Sequence, residues 1–206
     1  MKKGAIILCG GKSSRMGLDK ATLPFGSELM LQRVIRLMAK VVDLSEIVVV
    51  AAPGQSLPSL PPDVIITTDQ CPDRGPLEGL AAGLRVVPKS VEAVYATSCD
   101  VPLLVPAFVS AMFDYLGDSV IVVPRDGKFC HPLAAVYRPI VLSVVDRLLS
   151  ENRLRASFLL EEAPTREIPV DELRQVDPQL STLMNLNYPE DYNAALSAAG
   201  FVSPSC

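Results

Sequence analysis

The sequence predicts an α/β fold of three layers, with helices on both faces of a mostly parallel central sheet. Three observations carry that expectation. Short apolar runs near 5–9, 47–51, 64–67 and 93–97 are too short for helices and rich in β-branched residues, as strands buried on both faces are. Segments of helical spacing lie between them, the alternation that builds a parallel sheet from right-handed crossovers. The first run also ends directly at two glycines, Gly10 and Gly11, where a strand hands over to a loop. At 206 residues, with no internal linker long enough to divide it, the chain reads as a single domain over 1–206.

The first strand, Ala5-Ile6-Ile7-Leu8-Cys9, leads into a loop in which Gly10, Gly11 and Gly17 accompany three cations, Lys12, Arg15 and Lys20. Glycine lets backbone approach a ligand closely, so this combination describes a polyphosphate cradle. It is not a P-loop: that spacing, ending in Gly11-Lys12-Ser13, needs a first glycine where Ile6 stands. Nor is it the dinucleotide fingerprint, because Gly10 and Gly11 are adjacent and position 12 is Lys12.

A helix follows, with Met30, Val34, Leu37, Met38 and Val41 on one face. The next strand, 46–51, gives way to Pro53, Pro58, Pro61 and Pro62, which forbid regular structure. The strand at 64–67 then delivers Asp69. Gly75-Pro76-Leu77-Glu78-Gly79 opens a second helix; proline is tolerated in a first turn, and a helix N-terminus favours an anion. Small Gly79 and Gly83 allow close approach of backbone or ligand.

The strand at 93–97 runs into Ser98-Cys99-Asp100-Val101-Pro102. Ligands of open α/β sheets sit at the carboxyl ends of the strands, so by position alone Asp100 is either a functional carboxylate or a helix cap. A helix bearing Val109, Met112, Phe113 and Leu116, a strand at 120–123, and an Asp126-Gly127 turn into 132–137 follow. His131 reads as a satisfied polar group at a strand end; one histidine makes no metal cluster, and no serine or cysteine has a triad partner set. Helices come next at 140–150 and 154–162. Arg153 and Arg155 beside the second either meet an anionic substrate or sit at a solvated helix end.

Composition excludes several classes. Hydrophobic residues make up 49% of the chain, yet no apolar stretch approaches the roughly 18–20 residues of a membrane span. The apolar stretch after Met1-Lys2-Lys3 is shorter than the about 7–15 residues of a signal-peptide core, so a cytoplasmic protein is expected. A net charge of -4 argues against a nucleic-acid surface, which needs clustered Lys and Arg. Five cysteines without a Cys-x-x-Cys pair indicate neither a disulfide framework nor a zinc site.

Leu8-Cys9-Gly10-Gly11, Arg15-Met16-Gly17 and Asp19-Lys20 together resemble the loop signature of nucleotidyltransferases, most closely that of the molybdenum cofactor guanylyltransferases, with Cys9 where alanine is usual. Gly75-Pro76-Leu77 with Gly79, Cys99-Asp100 with Pro102, and Asn185-Leu186-Asn187 with Pro189-Glu190-Asp191 resemble further elements of that family; Tyr188 replaces the usual threonine. The resemblance spans nearly the whole chain. It implies a Rossmann-like nucleotidyltransferase fold, with a nucleotide-binding half at 1–105 and a pterin-binding half at 106–200. It implies transfer of GMP from GTP to molybdopterin carrying molybdenum, with release of pyrophosphate. The nucleotide is then expected at Leu8, Cys9, Gly10, Gly11, Lys12, Lys20, Asp69, Gly75, Gly79 and Asp100, and the pterin at Asn185 and Asn187. Asp100 is expected to hold Mg2+ and to act in catalysis with Lys20 and Arg15. Transient contacts with molybdenum-insertion proteins and recipient molybdoenzymes are implied as well. Two alternatives share these motifs: a related enzyme using CTP or a sugar-1-phosphate, and a nucleotide-binding protein without catalysis. Intact Lys20 and Asp100 argue against the second.

Overall fold

A computed structural model describes residues 1–10, 19–69, 71 and 74–201. Strand β1 (Lys3–Leu8) is followed by a small antiparallel ribbon, β2 (Pro24–Phe25) with β3 (Glu28–Leu29), and by helix α1 (Met30–Met38). Then come β4 (Ile47–Ala51), β5 (Ile65–Thr68), α2 (Pro76–Val86), β6 (Ala93–Ser98) and α3 (Pro106–Tyr115). The rest of the chain gives β7 (Ile121–Asp126), β8 (Phe129–Cys130), β9 (Ala135–Tyr137), α4 (Leu142–Ser150), α5 (Ala156–Glu162), β10 (Thr165–Pro169), α6 (Val170–Leu173) and α7 (Pro189–Ala198).

Among the described residues these strands form an eight-stranded sheet in the order β10-β7-β9-β6-β1-β4-β5, with β8 paired to β7 off that path. β1 is parallel to β4 and β6, and β4 to β5. β9 is antiparallel to both β6 and β7, so β7 runs in the same direction as β6. Its outer neighbour β10 is parallel to it. The carboxyl ends of β1, β4, β5, β6 and β7 therefore share one edge.

Alternation of side chains across each strand divides the interior into two layers. Ile7, Val49, Tyr95 and Val122 point towards α1 and α3, while Ile6, Val48, Val94 and Ile121 point towards α2 and α4. A third, small cluster of Leu23, Phe25, Met30, Leu186, Ala195 and Leu196 seats α7 over the β2–β3 ribbon. No helix among the described residues is long and apolar enough to cross a membrane. Cys9, Cys71, Cys99 and Cys130 are free thiols.

Two departures from the sequence reading have physical causes. β10 was not foreseen: within Thr165–Pro169 only Ile168 is buried, as suits an edge strand that shows one side to solvent, and it carries no apolar run. The expected arm at 132–137 divides. β7 turns through Gly127, whose φ of 56° suits glycine, into β8; a 3-10 turn at Pro132–Ala134 then shifts the chain so that β9 lies between β6 and β7. Pro132 lacks the N–H that a continuous ladder needs.

Candidate active site

β1, β4 and β6 are buried to their ends, so the first polar residues of each connection fall where the strand stops. Pairing persists just beyond: Cys9 N–H donates to Val50 O at 2.8 Å, Asp69 N–H to Ala51 O at 2.9 Å, and Cys99 N–H to Leu8 O at 3.0 Å. This ladder sets Gly10, Asp69 and Asp100 on one edge. Gly11, Lys12 and Arg15 lie outside the described residues.

At the end of β6 the chain brings together three distant residues. Lys20 Nζ donates to Asp100 Oδ2 at 2.7 Å and to Asn187 Oδ1 at 3.0 Å. The Ser98 hydroxyl donates to the other carboxylate oxygen of Asp100. With their side chains only 17% and 11% exposed, Lys20 and Asp100 form a largely desolvated ion pair, in which each charge depends on the other. Asn187 is held there by its neighbours. Leu186 N–H donates to Asp100 O at 3.0 Å and its side chain enters the small cluster below α7, which leaves Asn185 and Asn187 exposed on either side. Asp191 accepts from the backbone N–H of Asn187 and Tyr188 at 3.0 and 2.9 Å. The start of α7 is thus capped by a carboxylate three residues on, whatever side chain occupies 188.

A second polar knot supports the point where the chain re-enters from the first loop. Asp19 accepts from Ala21 N–H at 3.0 Å and from Gln55 Nε2 at 2.8 Å. The same amide nitrogen reaches Cys9 O at 3.2 Å, while Gln55 Oε1 accepts from Ala52 N–H at 2.9 Å. Gln55 and Ser98 escaped the sequence reading. Their signal is positional only: each lies at or just beyond the carboxyl end of a buried strand.

The remaining expected residues take varied places. Asp69 accepts from Cys71 N–H at 3.0 Å. Gly75 has φ 77° and leads into Pro76 in the first turn of α2. A Cβ on Gly79 would lie 3.1 Å from Leu8 Cδ2, and one on Gly83 would lie 2.6 Å from Ile6 Cγ2; the close approach these glycines permit is that of α2 onto β1. Leu8 and Cys9 are buried at the end of β1. The neighbouring Cys99 thiol, with burial adding to it, pushes the Cys9 thiol well above its ordinary pKa, so it behaves as a neutral core group.

Two expectations need revision. His131 is not a satisfied polar group: its Nε2 is buried and has no hydrogen-bond partner among the described residues. The His131 backbone N–H, by contrast, donates to Pro124 O at 3.0 Å. Burial lowers the histidine's pKa, against a weaker upward pull from Asp126. Arg153 is engaged in the fold, paired with Glu162 and, at 3.5 Å, with Glu151, and stacked on Phe158 at 4.4 Å.

Comparison with known proteins adds to this geometry. A family model described as "MobA-like NTP transferase domain" matches residues 5–166. The chain is 33% identical over 204 residues to a "Probable molybdenum cofactor guanylyltransferase" of Mycobacterium bovis, a match covering 97% of this chain and 91% of that protein. In fold it resembles the molybdopterin-guanine dinucleotide biosynthesis protein A of Archaeoglobus fulgidus, with a TM-score of 0.77 at 19% identity over 97% of this chain and 99% of that one. It also resembles the 2-C-methyl-D-erythritol 4-phosphate cytidylyltransferase of Thermus thermophilus, with a TM-score of 0.71 at 14% identity over 97% and 100% of the two chains.

Proposed function

Since the chain belongs to the MobA-like NTP transferase family, we propose that it transfers GMP from GTP to molybdenum-loaded molybdopterin, forming the guanine dinucleotide cofactor and releasing pyrophosphate. The observation that carries this reading is the convergence of Lys20, Asp100 and Asn187 at the carboxyl edge of the sheet, the edge at which β1 ends in Gly10. The guanylyl assignment is further supported by the 33% identity to the mycobacterial protein and by the paired Gly10-Gly11 of the loop. A cytidylyltransferase of similar fold makes base choice the point to test.

A terminal phosphate of the acceptor must reach the α-phosphorus of GTP, and repulsion between the two anions opposes it. Lys20 answers that repulsion by exchanging Asp100 for a triphosphate oxygen, a charge-assisted hydrogen bond in a poorly solvated place. Lys12 and Arg15 belong to the same loop and are assigned the same task. Asp100, released from Lys20, is the residue to hold Mg2+. The donor set fits, because magnesium at nucleotide sites takes one or two carboxylates and completes its shell with phosphates and water. When bound, the ion screens the phosphates and stabilises the departing pyrophosphate. No general base is required, since a phosphate monoester is already ionised at neutral pH. Asn185 and Asn187 are assigned to the pterin side, and the enzyme to the cytoplasm.

Pyrophosphate release in the presence of Mg2+ and loaded molybdopterin tests the assignment, with GTP and CTP compared at equal concentration. Strong preference for GTP is expected. A preference for CTP overturns the guanylyl reading and leaves a nucleotidyltransferase, whereas nucleotide binding without release leaves only a binding protein.

A further inference from the structure

The β7–β8 hairpin stands on the same carboxyl edge as Asp100, separated from β6 by β9. Its register pairs Arg125 with Cys130 and Asp126 with Phe129, and His131 N–H continues the ladder to Pro124 O. Because side chains alternate along a strand, the hairpin has two unlike faces. On one, Arg125 pairs with Glu167 of β10, and Cys130 Sγ lies 3.8 Å from Glu167 Oε1. These contacts fix the hairpin to the sheet.

The other face carries Phe129 and His131, two residues apart. Phe129 is 78% exposed, more than any other large hydrophobic side chain among the described residues. His131 presents the opposite anomaly, a buried Nε2 without a partner. That face continues the side of β7 that bears Val122, in the layer beneath α1 and α3. Leu183 packs on the same layer, so the segment delivering Asn187 to Lys20 approaches from this side too.

An exposed ring on the same face as a half-buried histidine whose Nε2 lacks a partner is completed by a flat heterocycle with polar edges, which stacks on the first and, with the imidazole turned outward, supplies the hydrogen bond missing from the second. The molecule has two such ligands to place. Asp69, just after β5, and α2, which packs over β1, β4 and β5, lie on one side of Asp100, whereas the hairpin lies on the other. We propose that this face of the β7–β8 hairpin is the ring subsite of the acceptor, where Phe129 stacks on the pterin and His131 Nε2 hydrogen-bonds to its polar edge. The inference rests on the transferase reading and refines it by naming two specificity-determining residues.

Titrating the protein with pterin-6-carboxylate, followed by quenching of the pterin's own fluorescence, tests the subsite without any turnover. Phe129→Leu is expected to weaken binding about tenfold, and Phe129→Tyr to bind like the parent. His131→Leu is expected to weaken it as well, with His131→Gln recovering part of the loss. GTP affinity should be the same in all four variants. In the pyrophosphate assay Phe129→Leu should raise KM for molybdopterin by a similar factor and leave KM for GTP unchanged. Equal pterin affinity in Phe129→Leu and the parent overturns the proposal, as does absence of quenching in the parent or a loss confined to GTP. If the quenching results hold while GTP yields no pyrophosphate, the subsite stands and the transfer reading falls.

Discussion

Lys20 sits between two acceptors, so its removal is felt twice. Lys20→Ala leaves the buried Asp100 carboxylate without its cation and, on the proposed function, the triphosphate without its counter-charge. Hydrogen bonds to charged groups contribute about 1.5–3 kcal/mol. Affinity for GTP should accordingly fall by roughly tenfold to a hundredfold, with transfer slowed in parallel; isothermal titration beside a pyrophosphate assay checks both. Asp100→Asn behaves differently. The amide oxygen still accepts from Lys20, so the fold should survive with an unchanged circular dichroism spectrum, while loss of the carboxylate should reduce transfer by orders of magnitude. Near-normal turnover in folded Asp100→Asn would remove the metal assignment. Both residues were legible in the sequence because each belongs to a motif at a strand end. Gln55 and Ser98 were not: their importance consists entirely of contacts to Cys9, Asp19 and Asp100, made across neighbouring strands.

At the level of elements, α2 lies on β1 through two glycines that differ in how much room they have. A Cβ added at Gly83 would lie only 2.6 Å from Cγ2 of fully buried Ile6, inside contact distance, whereas one at Gly79 would lie 3.1 Å from Cδ2 of Leu8, at the rim of the sheet. Alanine gains up to about 1 kcal/mol of helix propensity over glycine, against about 1–3 kcal/mol for overpacking a tight core. The balance favours overpacking at Gly83 and is near zero at Gly79. Gly83→Ala should therefore melt several degrees below the parent by calorimetry, and Gly79→Ala close to it; equal melting points would show that α2 shifts freely on the strand. The buried parallel strands were visible because each is a continuous apolar run. β10 was hidden by its place at the edge, where one buried side chain is enough, and the β8–β9 break by a proline whose effect depends on which neighbour its missing N–H would have met.

For the whole molecule, ligands that bind only the folded state add stability by mass action. GTP with Mg2+ at a hundred times its Kd contributes about 2.7 kcal/mol, which for a chain of this size corresponds to roughly 5–10 °C in Tm. GTP should raise the melting temperature by that amount and CTP by much less; equal shifts would argue against guanine selection. The overall architecture was the most legible level, since the alternation of strand and helix dictates which ends of the sheet coincide. How the C-terminal segment returns to Asp100 could be inferred only through family resemblance, because nothing in the spacing of Asn185 and Asn187 announces a contact with Lys20.

That contact has a consequence for how the protein is made. Lys20 and Asn187 are separated by 167 positions, and ribosomes add about 5–20 residues per second. For on the order of ten seconds or more of each synthesis, the lysine exists and its amide partner does not. A nascent chain still tethered before residue 187 thus presents the lysine and the aspartate without the segment that joins them.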